Sequence, residues 1–305
     1  RPIAAVSDLQ SIESVCRKAY MFLQEKQMAE NTGKTVSIDH SEVHSISNDS
    51  INQSYLLNIL TPPGYDPEGE PYPVLYLTDG SGNFTALTSF TPLMQTFGEL
   101  KRFITVGITY DVEVAMHSMT LRSRDLTQTD APMGIAGAQP EWMKELPQVG
   151  TGGAAEFLRF INEGIKPYVE SQFNADPTDS CYAGFSLGGL FGLHCLFSQP
   201  ASFQRYVIGS PSIWWDDRDI LNAEKIYAEN NSDLAARVFM SSGELEEPED
   251  KPDDSAMVTN MLNLAETLQQ RNYPSLKLDH TVLAAETHLS AVGATLMRGV
   301  RSVFA

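Results

Sequence analysis

The stretch Cys181-Tyr182-Ala183-Gly184-Phe185-Ser186-Leu187-Gly188-Gly189-Leu190 decides the fold. It reads as a buried strand that breaks at G-x-S-x-G and re-enters a helix, with one serine at the corner. Gly184 and Gly188 lack a Cβ where a tight turn would press neighbouring backbone together, so the pattern has the form of a nucleophile elbow with Ser186 raised above the end of a sheet. The following run, Leu187 to Phe197, is apolar almost all round, as suits a helix buried beside a central sheet. Its free N–H groups would face a reacting carbonyl. An ordinary glycine-rich turn is the competing reading, and the rest of the chain has to decide between them.

Short apolar runs of the kind that fill a sheet covered on both faces occur at Val74–Thr78, Phe103–Thr109, Ser180–Ala183, Arg205–Gly209, Arg237–Met240 and Leu276–Leu283. Two runs nearer the N-terminus, Thr35–Ser47 and Ser54–Thr61, alternate apolar and polar residues around Asn48-Asp49-Ser50 and predict an antiparallel pair. Helical spacing links Phe157, Phe160, Ile161, Ile165 and Tyr168, then Val258, Met261, Leu262, Ala265 and Leu268, and finally Leu289, Val292, Leu296, Val300 and Val303. Strands alternating with helices predict an α/β fold, an eight-stranded, mostly parallel sheet with helices on both faces and ligands at the carboxyl ends of the strands.

Composition narrows the classes. A chain of 305 residues with 42% apolar residues can bury one large core. The expected organisation is an amphipathic helix within residues 1–34, carried by Leu9, Ile12, Val15, Ala19, Phe22 and Leu23, followed by one catalytic domain over 35–305. Thr127–Thr151, punctuated by glycine and proline around Trp142, is too long for a routine connection and reads as a flap over the site. No apolar run is long enough to span a bilayer, so a soluble protein without membrane insertion is expected. Nothing after Arg1 has the charged-then-apolar form of a signal peptide, and the compartment, cytoplasmic or periplasmic or secreted, stays open. A net charge of −18 argues against nucleic acid as a partner. Three cysteines with no CxxC, two of them (Cys181 and Cys195) flanking the elbow, read as small buried hydrophobes rather than a disulfide framework.

A serine hydroxyl needs a base, and the base needs a carboxylate to orient it, in the chain order serine, acid, histidine. Of six histidines, His288 follows the last predicted strand and precedes the C-terminal helix, in the loop from which a base would reach Ser186. His194, on the elbow helix, reads as a core residue, His280 lies inside a strand, and His117 in an irregular loop is the rival. His40 and His44 stand about 13 Å apart along a strand, too far for one metal, and neither metal nor cofactor is expected. After the strand Arg237–Met240 the acid-rich run Gly243-Glu244-Leu245-Glu246-Glu247 offers Glu246, three residues past the glycine, with Glu244 second. Leu187 N–H supplies one oxyanion donor, and Ser81 N–H, in Leu77-Thr78-Asp79-Gly80-Ser81-Gly82-Asn83-Phe84, is the choice for the other. The acid-rich loop should repel strongly anionic substrates.

These pieces resemble the putative-esterase branch of the α/β-hydrolases over roughly residues 35–304. The likeness rests on Pro73-Val74-Leu75-Tyr76-Leu77-Thr78-Asp79-Gly80, Arg122-Ser123-Arg124-Asp125-Leu126-Thr127, Gly152-Gly153-Ala154, the elbow, and Gly209-Ser210-Pro211-Ser212-Ile213-Trp214-Trp215, the last most like the siderophore-esterase side. The resemblance implies a serine esterase with Ser186 as nucleophile and His288 as base. It implies the acid less firmly, since some siderophore esterases of this type lack an obvious triad carboxylate. Arg122 and Arg124 are the candidates for a cationic substrate contact, with structural ion-pair anchoring as the other reading of both, and Trp142, Trp214 and Trp215 for an aromatic wall, with buried packing as their other reading. A small-molecule ester is the expected substrate. An acyltransferase of the same fold, or a catalytically silent binding module, are the alternatives, and oligomeric state is not legible.

Overall fold

The computed structural model describes residues 37–113, 117–132, 148–247 and 255–305. The expected N-terminal helix (1–34) lies outside these residues, as does Trp142 with most of the expected flap. Eight strands form one sheet: β1 (Ser41–Asn48), β2 (Gln53–Leu60), β3 (Tyr72–Leu77), β4 (Ile104–Tyr110), β5 (Ala175–Phe185), β6 (Arg205–Gly209), β7 (Arg237–Gly243) and β8 (Lys277–Leu283). Their spatial order is β1-β2-β4-β3-β5-β6-β7-β8. β1 and β2 pair antiparallel, β2 joins β4 antiparallel, and every pair from β4 onward is parallel. The helices used below are α1 (Gly80–Thr88), α2 (Thr91–Thr96), α3 (His117–Asp125), α4 (Ala154–Phe160), α5 (Lys166–Gln172), α6 (Leu187–Ser198), α7 (Ile220–Asn230), α8 (Met257–Arg271) and α9 (Ala291–Val303).

All eight expected strands are present, with shifted ends. β1 starts at Ser41, because His40 takes φ 63°, which breaks an extended run, and Thr35 and Val36 of the expected strand lie outside the described residues. The helix expected from Phe157 to Tyr168 is interrupted by a π-helical turn at Ile161–Ile165 between α4 and α5. The segment from Leu77 to Phe84 and the surroundings of His117, read from sequence as loops, contribute to the helices Gly80–Thr88 and His117–Asp125. Their segments lack a strong apolar period, so the periodicity signal was absent.

The central strands are apolar on both faces because each face is covered. Tyr206 and Ile208 of β6 join the large core shared with α4, α5, α6, α7 and α8. Val207 and Gly209 point the other way, where α9 packs so closely that a Cβ on Gly299 would overlap Val207 and one on Gly209 would approach Thr295 Cγ2 at 2.7 Å. The buried Ser241–Thr295 hydroxyl pair (2.7 Å) joins β7 to α9 in the same layer. Cys181 and Cys195 are free and buried, and burial pushes both thiols up. Burial likewise pushes His194 down to about 4, which keeps its imidazole neutral in the wall of the core. Among the described residues no helix is long and apolar enough to cross a membrane.

The α9–sheet contact has no space for a methyl group. Gly299→Ala is expected to cost about 1–3 kcal/mol through overpacking, read as a lower urea midpoint with an unchanged denaturant slope.

Candidate active site

The elbow forms where β5 ends. Ser186 takes φ 61° and ψ −119°, outside the regions open to an ordinary residue. Backbone bonds hold it there: its N–H donates to Gly209 C=O (2.9 Å), and its C=O accepts from Leu190 (3.0 Å) and Ser212 (3.2 Å). A Cβ on Gly184 would collide with Gly188 O and Tyr182 OH, and one on Gly188 would lie 2.7 Å from Thr78 Oγ1. The glycines of G-x-S-x-G are therefore required by close approach.

The loop after β3 is tied to the same turn. Thr78 Oγ1 and Tyr182 OH lie 2.8 Å apart, and Tyr182 OH donates to Gly188 C=O at 2.7 Å. Leu187 is the first residue of α6 and Ser81 the second of α1, positions whose N–H groups have no acceptor within their own helix. Asp79, at φ 54°, turns the chain into α1.

Across the strand ends, β7 runs into a single turn of 3-10 helix at Glu244–Glu246. This turn is bound to the loop after β8: Leu245 N–H donates to Glu286 C=O (2.9 Å), and Ala285 N–H to Glu244 Oε2 (2.8 Å). The two loops approach so closely that a Cβ on Gly243 would lie 2.5 Å from Glu286 O. That contact sets His288 opposite Glu246, with Nδ1 2.6 Å from Oε2. Glu246 Oε1 accepts from Ser210 Oγ–H and from Gly243 N–H, each at 2.6 Å. The Glu246 side chain is 1% exposed and that of His288 is 40% exposed. Burial alone would raise the carboxyl pKa, but the bonds from His288, Ser210 and Gly243 outweigh it and hold it below the usual value. The group stays an anion inside the protein. The ring of His288 leans on Phe185, with centroids 5.0 Å apart.

Ser186 and His288 line one cavity of about 270 Å³ with Ser212, Trp214, Leu245, Glu246, Ser255 and Met257. Ser186 Oγ lies 3.4 Å from Ser212 Oγ, a contact that leaves the serine hydroxyl on the cavity wall beside the imidazole rather than bonded to it. A serine–histidine bond that tightens only when substrate arrives is common in free enzymes. The arrangement can deliver a serine oxygen to a carbonyl, accept its proton on His288, and balance the resulting imidazolium with Glu246.

Of the residues expected from sequence, Ser186, His288, Glu246 and Trp214 are brought to this cavity, Leu187 adjoins it through Ser186, and Ser81, in the first turn of α1, is not among its lining residues. Glu244 instead caps Ala285 N–H. His117 opens α3 and does not line the cavity. Arg122 and Trp215 are not brought there either, and their expected substrate contact gives way to anchoring. Both Arg122 Nε and Nη2 bind Asp79 (2.7 and 2.9 Å), and Trp215, 1% exposed, donates its Nε1–H to Thr129 Oγ1 at 3.0 Å. The parts that sequence reasoning missed are Ser210, Ser212, Leu245, Ser255 and Met257. Ser-Pro-Ser stood in the sequence as a motif, yet only the turn at Ser210 (φ 35°) shows that its two hydroxyls point to the carboxylate and to the serine.

A family model described as "Putative esterase" matches residues 48–277. The chain is 30% identical over 278 residues to the ferri-bacillibactin esterase of Bacillus subtilis, covering 88% of this chain and 91% of that one. It is 26% identical to the siderophore triacetylfusarinine C esterase of Aspergillus fumigatus, with 88% and 94% covered. Among solved structures it is similar to the BES protein from Bacillus cereus, at TM-score 0.75 and 29% identity over 89% of this chain and 98% of that one.

The net downward shift of Glu246 means that its anion stabilises the fold above the unfolded-state pKa near 4.5, a contribution lost as pH falls through the lower folded value. Ser210→Ala removes one donor, so the variant is expected to be about 2 kcal/mol less stable at pH 7. Urea titrations at descending pH should show the difference from the native chain shrinking once the carboxyl is protonated.

Proposed function

Since the chain belongs to this esterase family, matched across most of its length, we propose that it hydrolyses siderophore-type carboxylic esters through an acyl-enzyme on Ser186. The observation that carries the reading is the 2.6 Å Glu246–His288 bond on the wall of the cavity that also holds Ser186 at its strained turn.

The steps follow from the chemistry of these groups. Ser186 Oγ attacks the ester carbonyl while His288 Nε2 takes its proton, and the buried Glu246 anion fixes the tautomer with Nδ1–H toward the carboxylate. The N–H groups of Leu187 and Ser81 stabilise the oxyanion. Collapse of the tetrahedral intermediate releases the alcohol, which receives the proton from His288. Water, deprotonated by the same imidazole, then attacks the acyl-enzyme and frees Ser186. Trp214, Leu245 and Met257 provide apolar surface for the rest of the ester. The siderophore substrate class is drawn from the names of the two curated relatives, and the residues above are compatible with it.

Treatment with a fluorophosphonate should add one adduct, by intact mass, to the native chain and none to Ser186→Ala. A native chain that acquires no adduct would overturn the assignment of Ser186. Glu246→Gln, which exchanges the anion for a neutral amide of the same shape, should lower kcat by on the order of 10³-fold to 10⁴-fold with far less effect on KM, measured on an aryl ester.

A further inference from the structure

We infer that this site selects neutral esters and rejects polyanionic ones, so that among ferric siderophores it takes neutral tris-hydroxamate esters rather than trianionic tris-catecholate esters. The inference rests on the esterase reading above and adds the charge of the substrate.

A trianionic ligand would need several cations at the cavity, and among its described lining residues none is a lysine or arginine. The two arginines of Arg122-Ser123-Arg124-Asp125 are already matched by carboxylates. Arg122 forms its two bonds with Asp79, and Arg124 binds Asp125 through Nε (2.6 Å) and Nη2 (3.1 Å). Releasing either would strand a carboxylate that is itself largely buried, a costly exchange. Arg218 donates to Asn260 Oδ1 (3.0 Å) and stands in sequence among Asp216, Asp217 and Asp219.

The anions point to the same conclusion. Glu244 and Glu247 flank the cavity residues Leu245 and Glu246, and each carboxylate is held in place: Glu244 by Ala285 N–H, Glu247 by Thr259 N–H (2.8 Å) and Oγ (2.6 Å). Asp216 and Asp217 follow Trp214-Trp215 and are exposed. What the site does offer is apolar: Trp214, Met257 and the half-exposed Leu245. A largely apolar wall that carries the Glu246 carboxylate, with no lysine or arginine among its described lining residues, raises the energy of an incoming anion and leaves a neutral ester unaffected.

The test compares two aryl esters of similar size, 4-nitrophenyl butyrate and the anionic 4-nitrophenyl hemisuccinate, each corrected for its rate with hydroxide alone. The neutral ester should have a kcat/KM at least about tenfold higher at low ionic strength, and the ratio should contract severalfold in about 0.5 M salt, where screening shortens the reach of the carboxylates to a few ångströms. Glu247→Gln should move the ratio toward the anionic ester. With ferric complexes, ester loss followed by mass spectrometry should be faster for a neutral tris-hydroxamate ester than for a tris-catecholate trilactone. Equal or faster turnover of the anionic member of either pair, or a ratio indifferent to salt, overturns the charge selection while leaving the esterase reading intact. Failure to turn over any of these esters, together with no fluorophosphonate adduct, removes both.

Discussion

The backbone of Ser186 is the constraint on which the rest of the structure depends. A residue with a Cβ keeps φ 61° and ψ −119° only where its neighbours leave no alternative. The neighbours here are the carbonyl of Gly209 at the end of β6, the N–H of Ser212 in the following turn, and the first turn of α6. Each needs a specific close approach, which accounts for glycine at 184, 188, 189 and 209. The parallel register of β5 with β6, pairing Phe185 with Gly209, supplies the acceptor for Ser186 N–H. Strand order, glycine placement and the position of one hydroxyl are thus a single arrangement.

A second arrangement is electrostatic. A carboxylate as buried as Glu246 would take up a proton without donors, and a neutral acid could not balance an imidazolium. Its three donors come from three different segments: the His288 loop, the Ser210 turn after β6 and the end of β7. All are strand ends on the same side of the sheet. Through Ser210 and Ser212 the turn after β6 reaches both the acid and the nucleophile, with Pro211 limiting its backbone freedom between them. Distortion of that turn would therefore disturb both ends of the serine–histidine–carboxylate line.

The sheet was legible because its signals are local and strong. Short apolar runs marked six strands, apolar and polar alternation marked the first two, and G-x-S-x-G marked the corner. Two of the helices that the sequence did not announce, Gly80–Thr88 and His117–Asp125, are held by contacts rather than by an amphipathic pattern. α1 begins with Gly80 packed against the backbone of Gly107, and α3 is fixed by Arg122 on Asp79 and by Asp125 under Tyr55 OH (2.6 Å). Such long-range pairings leave no trace in spacing. The same limit explains the site. Histidine and acid were placed by their position after strands, whereas Ser210, Ser212 and Met257 come together only through the fold.

Arg122 stands where the sequence offered two roles, a cationic substrate contact or a structural ion pair, and it is paired with Asp79. An arginine in a family-like segment of an acidic chain invites a role in binding anions, yet its partner Asp79 sits at the start of α1, beside the elbow. A Cβ on Gly188 would come within 3.5 Å of Asp79 Oδ2. An unpaired carboxylate there would oppose any negative charge developing near the N-terminus of α6. The bidentate guanidinium removes that opposition and fixes the turn into α1 at the same time. The cation thus acts on the loop next to the reacting centre, and beyond His288 and Glu246 the described cavity lining is left to aromatic, aliphatic and hydroxyl groups.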